Sequence, residues 1–170
     1  MDFITREKEI TDGLDFMGEP AAYKQATLEA LISIYRDYPD LFAEADHGQI
    51  NMLGLGWYPL VRVACEWITT YQDQLKRNGH PPIDFKITTI KEKFGGLRIY
   101  TSYPHSEELS NAWFNLSIAL EKASYRTCFF TGKRGRLMRE GMWFVTLSEE
   151  EAVKRKATAP SADILHSLGV

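Results

Sequence analysis

The spacing of apolar and polar positions changes period several times along the chain, and each change predicts an element. Behind Pro20, Tyr23, Leu28, Leu31, Ile34, Tyr35 and Tyr38 recur at helical spacing and predict a helix to about Asp37. Pro39 starts a short turn, PDLFAEAD, with Leu41 and Phe42 directed inward. A loop, GQINMLGLGWYP, leads to a second helix from about Tyr58 to Asn78, stopped by Gly79 with Pro81 and Pro82 beyond. Its stripe is Leu60, Val61, Ala64, Cys65, Trp67, Ile68, Tyr71 and Leu75. On that stripe Cys65 reads as a small buried hydrophobe. A shorter helix is expected near 5–12.

Between 83 and 103 the period becomes that of strands, and the β-branched and aromatic residues around Gly95-Gly96 signal a hairpin. With those glycines as a two-residue turn, Phe94 faces Leu97, Lys93 faces Arg98, Glu92 faces Ile99 and Lys91 faces Tyr100. One face then carries Ile90, Glu92, Phe94, Leu97 and Ile99. The other carries Lys91, Lys93, Arg98 and Tyr100. Like charges directly opposite repel, so an anion, an acidic partner or Glu92 reaching around must offset them. Long basic side chains also shield an exposed strand edge. A slip in alternation between Ile87 and Ile90 predicts a bulge near Thr88-Thr89.

Helical spacing returns at about 106–124, with Ser106 as N-cap and Glu107 and Glu108 in the first turn. Residues 127–151 read as short strands separated by Gly132, Gly135 and Gly141, with MWFVTL the clearest. Ser148 and Glu151 form a capping-box pattern for a last helix. The expected fold is α+β: helices packed on a small antiparallel sheet, ending in a ribbon-like β element. The expected organisation is an acidic helical part over 1–50, an α+β core over 51–157 and a weakly ordered tail over 158–170.

Composition narrows the classes. The 170 residues include four Trp, eight Tyr and nine Phe, enough large groups to build a core. No run of 18 apolar residues occurs, so no membrane partner is expected. MDFITREKEITDG lacks a basic-then-apolar arrangement, so no signal peptide is expected. Two isolated cysteines, Cys65 and Cys128, form no disulfide framework and point to a cytoplasmic location. Charge is uneven. Residues 1–50 hold eleven acids and four bases, whereas 51–170 hold twelve acids and sixteen bases. Six of those bases, Lys122, Arg126, Lys133, Arg134, Arg136 and Arg139, lie in an acid-free stretch over 122–139. The asymmetry is either a plain molecular dipole or two partner surfaces.

Three segments, GWYPLV (56–61), IKEKFGGLRIY (90–100) and ALEKASYRTC…GRL…GMWFVTLS (119–148), together resemble a set of small, uncharacterised bacterial and phage proteins. The likeness covers about 54–152 and is most specific in KEKFGGLR. It implies a G-W-x-P-L helix start, a basic hairpin and a C-terminal zinc ribbon of Cys-x-x-Cys…Cys-x-x-His type. Aligned on that pattern, the ligand positions fall on Cys128, Thr131, Ser148 and Glu151. One soft ligand of four is a poor set for structural zinc, so no metal and no cofactor is expected. Phe129, Phe130, Trp143 and Phe144 are the candidates to replace the metal's folding energy by packing.

Motifs for catalysis are missing. TGKRGR (131–136) is too short for a phosphate-binding loop, and GLG (54–56) is half a dinucleotide fingerprint. No G-x-S-x-G or H-E-x-x-H occurs. His47, His80, His105 and His166 all fall in loop or tail stretches. The leading expectation is a non-catalytic protein-binding module, an inhibitor or immunity or anti-defence type protein that meets a basic partner through its acidic front. The alternative is a nucleic-acid or phosphate-binding protein that uses Lys91, Lys93, Arg98, Tyr100, Lys133, Arg134, Arg136 and Arg139. An enzyme assembled from residues distant in sequence is the third reading.

Overall fold

The computed structural model describes residues 19–42, 49–51, 53–81, 83–102 and 106–169. The helix expected near 5–12 and seven of the eleven acids of the acidic front lie outside them. Helix α1 (Ala21–Asp37) follows Pro20 and buries Leu31, Ile34 and Tyr35, as the spacing predicts, together with Thr27, which the apolar spacing does not include; Tyr23, Leu28 and Tyr38 are partly buried. A single 3-10 turn, Pro39–Leu41, then turns Leu41 and Phe42 into the core. The segment expected as plain loop holds two elements: strand β1 (Gln49–Asn51) and a 3-10 turn, Leu55–Trp57.

Helix α2 (Tyr58–Arg77) carries the buried line Tyr58, Val61, Ala64, Cys65 and Ile68. Gly79, at φ 75°, ends it: the Gly79 N–H bonds the Lys76 carbonyl and the His80 N–H bonds the Leu75 carbonyl. These two bonds are the pair a left-handed glycine makes possible after a helix. Burial pushes the Cys65 thiol up to about 12, so it remains an inert core group.

Strands β2 (Ile87–Lys93) and β3 (Gly96–Thr101) form the antiparallel hairpin, with a register shift between Ile87 and Thr89 where the bulge was expected. On its other edge β2 pairs with β1 in parallel, Ile50 opposite Ile90. That pairing follows from the connection, because a helix running between two strands of one sheet returns the chain in the same direction. The fold is α+β. Helix α3 (Glu107–Ser124) begins at Ser106, whose Oγ accepts the Leu109 N–H at 3.2 Å. At its other end the Ser124 Oγ accepts the Leu97 N–H at 2.8 Å, which covers part of the free edge of β3.

The C-terminal unit comprises β4 (Arg136–Glu140), β5 (Trp143–Leu147) and α4 (Glu149–Lys154), the helix capped by the Ser148 Oγ. The tail expected to be weakly ordered continues as structure: Thr158 bridges Arg139, and α5 (Ala162–Leu168) follows with no buried residue. Backbone bonding to β4 supplies the order there, a contribution that apolar spacing does not reveal.

Three joints hold this unit to the rest. At the first, the Gly56 N–H bonds the Phe129 carbonyl at 2.9 Å and Trp57 Nε1 bonds the Thr127 carbonyl at 2.8 Å. At the second, Thr146 Oγ1 donates to the Gly95 carbonyl at 2.8 Å and Trp143 Nε1 donates to Glu92 Oε2 at 2.9 Å. The third is ionic. Buried Arg155 pairs with Glu19 and with Glu151 (2.9 Å), has Glu140 at 3.7 Å, and lies 3.5 Å from the centre of the Phe130 ring. A charge buried among partners in this way stabilises only while the set is complete.

The first joint is the tightest. A methyl group at Gly56 would stand 2.1 Å from the Cys128 carbonyl oxygen and 2.2 Å from the Gly132 nitrogen. Both are backbone atoms with no flexible end to yield. Gly56→Ala is therefore expected to lower stability by about 3 kcal/mol or more in chemical denaturation.

Candidate functional site

The hairpin turn sits one residue earlier than Gly95-Gly96. Lys93 pairs with Gly96, Glu92 with Leu97, Lys91 with Arg98 and Ile90 with Ile99, so the central turn residues are Phe94 and Gly95. Both have positive φ, 53° and 78°, the signature of a type I′ turn. Each glycine is needed, but for different reasons. Gly95 takes the left-handed position with its Cα side against Leu137, where a methyl would lie 2.1 Å from Cδ1. Gly96 stays in the strand because Tyr125 covers it, the ring Cζ and hydroxyl 2.7 Å from where a Cβ would stand. The expected register is thereby corrected, while the division into two faces survives because the shift is even.

The like-charged pair across the strands is Lys91 and Arg98, not Lys93 and Arg98. Glu121 of α3 relieves it, with a carboxylate oxygen 2.5 Å from Arg98 Nη1. Glu92 does not reach around. It points to the other side, where it accepts the Trp143 indole N–H and the Gly95 N–H at 2.5 Å. Burial holds its carboxyl above the usual carboxylate range despite those two donors. Arg98 and Glu92 are thus structural.

What remains on the hairpin is a cation–aromatic arrangement. Lys91 Nζ lies 5.1 Å from the centre of the Tyr100 ring and Lys93 Nζ lies 5.7 Å from that of Phe94. Tyr100 is 41% exposed and Phe94 is 52% exposed. Phe94 was expected on the core face opposite Leu97, and the turn instead places it outside. A bulky side chain in the left-handed region carries strain of roughly 1–3 kcal/mol. Asn or Gly serves that turn position better.

The remaining predicted cations lie on the C-terminal unit. Lys133 is paired with exposed Glu150 at 2.6 Å, which raises the lysine pKa and lowers that of the glutamate. Arg139 Nε donates to the Gly141 carbonyl at 2.8 Å. It sits on the same face of the β4–β5 hairpin as Leu137 and Phe144, where the Phe94-Gly95 tip docks. Arg134 and Arg136 line an open depression of about 300 Å³ with Gly135, Leu147 and Glu149. Among the described residues Lys91, Lys93, Arg134 and Arg136 have no carboxylate partner. The fold therefore brings the hairpin tip against the Leu137 and Arg139 face of β4, turns Arg136 to the opposite face with Leu147, withdraws Arg98 into a half-buried ion pair and pairs Lys133 with Glu150 at the surface.

Much of what is described of the acidic front is engaged internally. Glu19 is held by Arg155, Asp37 by Arg62 at 2.8 Å, and Glu29 accepts from Gln25 at 2.9 Å. His80 and His166 are exposed, and His47 and His105 fall outside the described residues.

The four positions of the ribbon pattern do not fit zinc. Cys128 is buried, the Thr131 hydroxyl accepts the Lys133 N–H, and the Ser148 hydroxyl accepts the Glu151 N–H. The Glu151 carboxylate is taken by Arg155 and Lys154. No three His, Cys, Asp or Glu side chains among the described residues are grouped to hold a metal ion. Aromatic packing occupies this region instead: Phe129 meets Trp57, Phe130 and Trp143 edge-on at 4.9, 5.0 and 5.7 Å between ring centres. Phe144 takes another part, its backbone lying against the hairpin tip at Gly95.

Comparison with family models, with characterised proteins and with solved structures yields no match. No helix among the described residues is long and apolar enough to cross a membrane. Elemental analysis of the purified chain is expected to find no stoichiometric zinc, and a chelator to leave its melting unchanged. One tightly bound zinc per chain would contradict this account of Cys128, Thr131, Ser148 and Glu151.

Proposed function

We propose that the protein is a non-catalytic binding module that takes a polyanionic chain, a nucleic acid, on the face where the β2–β3 hairpin meets β4. The observation that carries this reading is the pair of hairpin lysines, Lys91 and Lys93, each over an exposed ring and without a carboxylate partner among the described residues, with Arg139, likewise without one, on the face of β4–β5 where the tip docks. Phosphates would complete these charges, which stand on adjoining elements beside exposed rings. The net charge of −3 weakens long-range attraction, so the affinity comes from local contacts and is modest.

The reading as an inhibitor or immunity-type protein draws on the acidic front. It has less support, because Glu19 and Asp37 already have internal cationic partners. Titration with labelled DNA and RNA over a range of salt distinguishes the two. Binding is expected to weaken steeply with salt, and Lys91→Glu and Lys93→Glu each to reduce the slope of log affinity on log salt by about one. Undetectable binding at low salt rejects the polyanion reading and leaves a protein partner as the ligand.

A further inference from the structure

The geometry points to single-stranded nucleic acid, held by base stacking on Phe94 and Tyr100, as the ligand of this face; the inference rests on the polyanion reading above. Phe94 is the anchor. Its backbone is left-handed at φ 53° and its ring is 52% exposed, so neither turn geometry nor core burial accounts for a phenyl group there. Strain held at an exposed position is a mark of a contact made to something else.

Charge complementarity identifies that something. Lys93 lies over Phe94 and Lys91 over Tyr100, so each exposed ring comes with its own cation, and no carboxylate neutralises either lysine. A ring to stack a base and an ammonium to meet the adjoining phosphate form the repeating unit of single-strand recognition. Tyr100 stands opposite Thr89, five residues along β2 from Phe94, or roughly 16 Å at the rise of a strand. Two such units at that separation suit a short extended strand. Arg139, on the face of β4–β5 beneath the docked tip, continues the positive track. A duplex fits poorly, since its base faces are closed within the stack and leave these rings nothing to stack on.

The test measures fluorescence anisotropy on the full chain with a labelled oligothymidine, a duplex of equal length and inorganic polyphosphate as competitor. A thermal melt accompanies each variant. The intact protein is expected to bind the single strand more tightly than the duplex. Phe94→Asn should weaken single-strand binding by about 5- to 100-fold, leave duplex and polyphosphate binding unchanged, and melt no lower. Tyr100→Ala should weaken the single strand likewise, with Tyr100→Phe restoring it. Unchanged single-strand binding by Phe94→Asn overturns the inference and assigns the strained ring to a protein contact. An equal loss across all three ligands also overturns it, while the polyanion reading stands. No binding to any of the three by the intact protein sinks both.

Discussion

The contact of Gly54-Leu55-Gly56-Trp57 with the knuckle at 128–132 is the constraint on which the rest of the molecule depends. It is backbone against backbone, with the Gly56 N–H on the Phe129 carbonyl and no room for a Cβ at Gly54 or Gly56. A contact this close fixes orientation as well as distance, because there is no flexible side chain between the two segments to absorb error. It sets the knuckle on the first turn of α2. The knuckle in turn fixes β5 through the Phe129 N–H to the Thr146 carbonyl, and Thr146 then reaches the hairpin tip at Gly95. The three segments singled out in the sequence, GWYPLV, KEKFGGLR and the C-terminal run, are therefore the three parts of one joint.

From that joint the surface follows. Docking on β4 and β5 leaves the β2–β3 hairpin with its Glu92 side against Trp143 and its lysine side outward. Two kinds of charge then separate. Arg98 and Arg155 are held by acids and serve the fold, Lys133 is paired with Glu150 at the surface, and Lys91, Lys93, Arg134, Arg136 and Arg139 are left to solvent or ligand. The edge-on packing of Phe129 with Trp57, Phe130 and Trp143 holds the knuckle, each such pair adding about 0.5–1.5 kcal/mol beyond burial.

The local code was legible. Helical spacing identified the buried lines of α1 and α2, and Ser106 and Ser148 marked their helix starts through short-range bonds. Alternation predicted the two hairpin faces and the bulge. Register was not legible, because two adjacent glycines permit either turn, and the choice was made by Leu137 and Tyr125, far away in sequence. The parallel strand β1 is three residues long and carries no period of its own. Glu121, which neutralises Arg98, lies on another helix, and Phe94 was read as core because its apolarity fits either face of an alternating strand. Of the eight candidate binding residues, sequence alone could not say that Arg98 and Lys133 would be paired with Glu121 and Glu150.

Native-state hydrogen exchange tests the joint most directly, by following the Gly56 amide, bonded to the Phe129 carbonyl, the Phe129 amide, bonded to the Thr146 carbonyl, and the Leu97 amide, bonded to Ser124 Oγ. If the joint locks the C-terminal unit to the helices and the hairpin, all three exchange only through global unfolding, with one common free energy and one denaturant dependence. Exchange of the Gly56 and Phe129 amides at a lower free energy than Leu97, through an opening confined to residues 127–158, would contradict the account.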